Sequence, residues 1–95
     1  MKKTVSIQIG NSDDKLTQEQ WSGFVQQVRI SLGQRARETH GEWYSLPDQP
    51  YQNACFCMVF ADADVPMVKQ ELTALRKSWG QDSAAWAEVP VTQFI

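Results

Sequence analysis

A chain of 95 residues with 42% apolar residues, among them 4 Trp and 4 Phe, has material for one hydrophobic core and not for two. That apolar share excludes a disordered chain. A formal net charge of −2 argues against a nucleic-acid binder that works by neutralising phosphates.

Val5, Ile7 and Ile9 alternate with Thr4, Ser6 and Gln8, the period of a half-buried strand ending at Gly10-Asn11. The same alternation denies Met1-Lys2-Lys3 the apolar core that a secretion leader needs. After the polar loop Asn11 to Lys15, Thr17 and Gln20 have the spacing of a helix capping box. Leu16 and Trp21 have that of a hydrophobic staple. Trp21, Phe24, Val25, Val28 and Leu32 then recur on one helical face. Gly33 weakens the last turns, and Gly41 is the expected stop. Glu42 to Leu46 reads as a short aromatic strand, and Pro47-Asp48-Gln49-Pro50 is too rich in proline to continue a ladder.

The longest apolar run follows, Asn53 to Ala61 (NACFCMVFA). Phe56, Met58 and Phe60 point one way and Cys55, Cys57 and Val59 the other. A strand apolar on both faces belongs at the centre of its sheet. Asp62-Ala63-Asp64 has the composition of a helix cap, and Pro66 fits the first helical turn. Val65, Val68, Leu72, Leu75 and Trp79 form the next apolar stripe, closed by Gly80. Ala84 to Val91 is a last strand, placed at an edge by Pro90.

The order strand, helix, strand, strand, helix, strand predicts an α+β fold over residues 1–95: a ferredoxin-like βαββαβ plait. Its antiparallel four-stranded sheet has the order 4-1-3-2, with both helices on one face. This class hosts many unrelated functions, so function has to be read from the surfaces. Small acidic plaits of this length without a catalytic motif resemble small bacterial or phage accessory proteins. No stretch reaches membrane-spanning length, which points to a cytoplasmic protein without membrane contact.

With Val5, Ile7 and Ile9 under the helices, Ser6 and Gln8 lie on the open face of the sheet. The run Asn53 to Ala61 brings an apolar row to that face whichever way it is turned, Cys55 and Cys57 in one orientation, and Trp43 or Tyr44, with Trp86, is expected to join it. These seven residues form the candidate binding face. A second copy pairing sheet to sheet into a dimeric α/β barrel, another protein, or the chain's own tail Thr92 to Ile95 would cover it. Cys55 and Cys57 are two apart on one strand face, so a disulfide between them would distort the strand. With one His and no further Cys they fall short of a metal site, and they read as small hydrophobes.

One end of the sheet gathers Asn11, Asp13, Asp14, Asp48, Asn53, Gln81 and Asp82. Those carboxylates read as caps and turn residues, because the segment lacks the spacing of a calcium loop. The other end holds Arg35, Arg37, His40, Asp62 and Asp64. His40 beside Asp62 or Asp64 is the weak candidate for a general base. No nucleophile elbow and no Gly-rich phosphate loop is present. The segment ACFCMVFA also lacks the basic residue and the glycines of an RNA-recognition strand. The reading is a non-enzymatic interaction domain, most simply a homodimer, without cofactor, metal or nucleic acid. The alternative is a small-molecule-binding protein or cofactor-free enzyme of the dimeric α/β-barrel type, with His40, Trp43 and Trp86 around a pocket between helices and sheet. Helices packed flush on Val5, Ile7 and Ile9 would leave that pocket no room.

Overall fold

In the computed structural model, which describes residues 1–90 and 93–95, the first alternation becomes strand β1 (Lys2–Gly10). Helix α1 (Gln18–Gly33) follows, then β2 (Glu38–Tyr44), β3 (Asn53–Ala61), helix α2 (Val65–Ser78) and β4 (Ala85–Val89). Short 3-10 turns at Ser12–Asp14 and Asp62–Asp64 precede the two helices. The four strands form one antiparallel sheet of order β2-β3-β1-β4. This is the ferredoxin-like arrangement that the element order predicts. Val91, the last residue of the expected final strand, lies outside the described residues together with Thr92.

The register of β1 on β3 decides which side chains meet. Val5 pairs with Met58, Ile7 with Phe56 and Ile9 with Ala54, and all six are buried. Trp21, Phe24, Val25, Val28 and Leu32 of α1 pack on them, as do Val65, Val68, Leu72 and Leu75 of α2, in one continuous core. Each fully buried side chain of this size contributes ~1.5–3 kcal/mol of transfer free energy. The smallest extent of the molecule is 19 Å, which fits one sheet and one helix layer.

Three of the five helix-end signals in the sequence are met. Thr17 Oγ1 accepts the Gln20 amide at 3.2 Å, and Gln20 Oε1 accepts the Thr17 amide at 2.8 Å, completing the capping box. Gly80 takes the left-handed conformation, φ 69°, that lets the Gln81 amide donate back to the Arg76 carbonyl at 2.8 Å. Pro66 occupies the first turn of α2. The expected cap at Asp62-Ala63-Asp64 is corrected: these residues form a 3-10 turn running directly into α2, with no side-chain capping bond from Asp64.

The link between α1 and β2 is also corrected. The helix stops at Gly33, and the amides of Gln34, Arg35 and Ala36 donate back to carbonyls of its last turn. The Arg37 amide then donates to the Val59 carbonyl at 2.7 Å, so pairing with β3 starts early and β2 opens at Glu38. Gly41, the expected stop, lies inside the strand, beside a register shift between Thr39 and Gly41.

Trp86 is corrected as well. It pairs with Ile7, which sets it on the helix side, where its ring stacks on Phe60 with centroids 6.0 Å apart. Lys69 Nζ of α2 lies 5.4 Å from the centroid of the same ring. Trp86→Ala should therefore lower stability by about 2 kcal/mol in urea denaturation, below the usual loss for an aromatic core residue because the ring is half-buried. It should leave the solution mass unchanged.

Candidate functional site

The face away from the helices is built in rows by the strand registers. Trp43, Cys55, Gln8 and Ala85 lie side by side across β2, β3, β1 and β4. Gly41, Cys57, Ser6 and Ala87 form the next row, and Glu38, Val59, Thr4 and Val89 the third. Beyond it, Lys2 pairs with Ala61. Eleven positions of these three rows carry no charge. Among the described residues the charges sit at one end, on Glu38 and Lys2, near His40.

Side chains on this face make few bonds of their own. Ser6 Oγ and Cys55 Sγ share a hydrogen bond at 3.3 Å in the middle of the sheet. The Trp43 indole bends back over Gly41, where even a Cβ would come within 3.1 Å of the ring, yet Trp43 stays 55% exposed. Beside it lies a shallow cavity of about 240 Å³ whose walls include Gln8, Ser45, Asn53 and Cys55. Val89, Ala85 and Ala87 are exposed, and Cys55 and Cys57 are half-buried. At the end of the tail, Phe94 is 93% exposed and Ile95 fully so, and neither side chain packs on the face. Thr92, the first residue of that tail, is outside the described residues.

Of the seven residues expected on this face, Ser6, Gln8, Trp43, Cys55 and Cys57 lie there. Tyr44, like Trp86, is on the other side, because it pairs with Ala54 of the core row. Its hydroxyl accepts a hydrogen bond from Arg29 Nη2 of α1 at 2.8 Å. The same nitrogen donates to Glu42 Oε2 at 2.9 Å, Arg29 Nε donates to Glu42 Oε1, and the Tyr44 hydroxyl donates to Glu42. These bonds tie the edge strand β2 to α1. The Arg29 hydrogen bonds hold the Glu42 carboxyl below its ordinary value, against a smaller opposing push from burial. Arg29 is raised in turn, chiefly by its bond to Glu42, while burial and then the bond to Glu42 raise Tyr44.

The other edge strand is tied in the same way. Glu88 of β4 accepts from Trp86 Nε1 at 3.2 Å and pairs with Lys3 at 3.6 Å and with Lys69 of α2 at 4.0 Å. Its carboxyl is lowered first by the Trp86 bond and then by the two lysines. Sequence patterning missed both latches, since Glu42 and Glu88 read as ordinary solvent-facing strand residues.

His40 lies in β2 beside the register shift, not in a helix-to-strand loop, and the carboxylate beside its Nε2 is that of Glu38 at 3.7 Å rather than Asp62 or Asp64. At the other end, Asp82 pairs with Lys15 at 3.3 Å. Asp13 and Asp14 sit in left-handed conformations, φ 58° and 52°, as turn residues do. Asn11, buried beside them, holds the turn together. Its Oδ1 accepts the Leu16 amide at 2.9 Å, and its Nδ2 donates to the Leu16 carbonyl at 3.0 Å and to Gln52 Oε1 at 3.1 Å. Among the described residues no group of three or more His, Cys, Asp and Glu is placed to hold a metal ion. Nor is any helix long and apolar enough to cross a membrane. Between helices and sheet, Phe24, Phe56, Phe60, Met58 and Ile7 are fully buried over the centre, while at the edge a shallow cavity of about 330 Å³ lies between α2 and β4, lined by Lys69, Leu72, Thr73, Arg76, Ala84 and Trp86.

No family model matches the chain, and no curated protein does either. Several solved structures share its fold. A DUF3240 family protein from Shewanella baltica OS155 is 13% identical, with a TM-score of 0.58 over 98% of this chain and 92% of that one. A dimeric ferredoxin-like protein of unknown function from Thermobifida fusca YX is 12% identical, with a TM-score of 0.59 over 95% and 92% of the two chains. The hydroxynitrile lyase from Passiflora edulis is 12% identical, with a TM-score of 0.61 over 98% and 96%. At these identities the likeness shows the fold alone.

The Arg29–Glu42 latch has a definite pH dependence. A folded carboxyl held below its unfolded value stabilises the fold above that value and loses the contribution as pH falls through the folded value. Because Arg29 is 45% exposed, the latch is worth about 1 kcal/mol or less. Glu42→Gln should therefore be less stable than wild type at pH 7. In urea titrations at stepped pH, the difference should close below about pH 4, near and under the ordinary glutamate value.

Proposed function

We propose that this chain is a non-enzymatic protein-interaction domain that acts through its open sheet face and pairs there with a second copy of itself. The observation that carries this reading is the inverted polarity of the edge strands. A one-sided antiparallel sheet normally points apolar side chains under the helices and polar ones at water. In β2 and β4, Glu42, Tyr44 and Glu88 point to the helix side beside Trp86, while Trp43, Ala85, Ala87 and Val89 face outward and Glu38 is the one outward charge, at the end of the face. The chain is 21% charged, so ten solvent-accessible positions around the buried Val59 without a charge are a local depletion of the kind found at interface cores.

The face has the size for such a role. Four strands of up to 9 residues span roughly 500 Å² in projection, and more as accessible surface. A standard interface takes ~800 Å² from each partner. The Thermobifida fusca neighbour is described as dimeric, which agrees with pairing by a domain of this fold. We place the protein in the cytoplasm, the compartment that suits two free thiols on an interaction face.

Ser6→Arg tests the reading. Position 6 is half-buried in the centre of the face, and an arginine there reaches water in a monomer but is trapped between two sheets in a dimer. The variant should fold with wild-type circular dichroism and fall to the monomer mass of 10.8 kDa where the wild type has twice that. An Arg variant that keeps the wild-type dimer mass would place the interface elsewhere.

A further inference from the structure

We infer that the two copies pair about a two-fold axis running parallel to the strands, between β1 and β3, so that Trp43 of each copy seats over Ala85 of the other. This inference rests on the face-to-face pairing proposed above and specifies its geometry. An isologous contact presents the same patch twice, so every protrusion must find its depression on an identical surface. Aligned facing sheets offer two such axes, one along the strands and one across them.

An axis across the strands turns the third row of one copy onto the first row of the other. The Glu38 carboxylate then lies against the partner's exposed Trp43 indole, and the charge loses water without gaining a counter-ion. The largest side chain meets the charged end of the face.

An axis along the strands reverses each row onto itself. Trp43 at the β2 end of its row then faces Ala85 at the β4 end, a large exposed ring over a small exposed methyl. Gly41 faces Ala87 in the next row, so no second bulky group competes for the space. Facing sheets stand ~10 Å apart, a gap that an indole opposite an alanine fills better than two indoles or two alanines. The charged end stays at the rim. This axis keeps Glu38 away from the partner's Trp43, so charge and size select the same axis.

A double-mutant cycle on the dimer constant, read by sedimentation equilibrium, tests the seat. Position 43 is exposed on β2 and position 85 on β4, so the variants should keep wild-type circular dichroism. Trp43→Ala should weaken the dimer ~10-fold or more by emptying the seat. Ala85→Trp should weaken it comparably by setting two indoles against each other. The double variant W43A/A85W exchanges the two halves of the seat and should recover to within about threefold of wild type. A double variant no tighter than the weaker single variant overturns the axis while leaving the face as the interface. Single variants that bind as tightly as wild type overturn the seat outright. A wild type that is monomeric throughout the range overturns the pairing itself, a result separable from the other two.

Discussion

The antiparallel ladder between β1 and β3 is the constraint on which the rest of the molecule depends. It runs without a break from Lys2 opposite Ala61 to Gly10 opposite Asn53, and the other strands attach to its two sides. Side chains alternate across a sheet with a period of two, so this register settles both faces at once. A slip of one residue would send Val5, Ile7 and Ile9 into water and bring Thr4, Ser6 and Gln8 under the helices. Both helices cover the same face because each crossover returns the chain over the side where the large side chains stand. The second face remains bare as a direct consequence.

What distinguishes this chain from a generic plait is how it secures its edges. Central strands are held by the core, but β2 and β4 each have one neighbour and need another attachment. Each reaches up to a helix with a carboxylate, Glu42 to Arg29 and Glu88 to Lys69. Such exposed bonds are individually weak, and their geometric effect outweighs their energy. By committing Glu42 and Glu88 to the helix side, the period-two rule hands the outward positions to Trp43, Ala85, Ala87 and Val89, with Glu38 alone as an outward charge at the rim. Edge strands usually carry outward charges that discourage contact. Here that protection is absent from the face itself, which is why we read the face as an interface.

Much of the fold was legible because the strongest signals in the sequence are also the physical determinants. The run from Asn53 to Ala61 is apolar on both faces and does become a central strand, while the Thr17–Gln20 pair and Gly80 do cap their helices. Errors fell where local preference was overruled by pairing. Gly41 signals a stop, yet Arg37 and Glu38 already pair with Val59, and the ladder carries the glycine into the strand. Trp86 turns to the helix side because the start of β4 fixes its parity, and neither Ala84 nor Ala85 marks that start in the sequence. Which of Trp43 and Tyr44 faces outward is decided by the register shift beside His40, which resets the alternation of β2. The latches were out of reach of patterning, because a glutamate on a strand looks the same whether it meets water or an arginine from a helix.

The most direct measurement is the solution mass of the wild-type chain by light scattering across a concentration series from low micromolar to several hundred micromolar. The account predicts a mass of twice 10.8 kDa that gives way to the monomer only on dilution. A mass that stays at the monomer value over the whole range would contradict it, and would mean that the bare face is covered by a different protein.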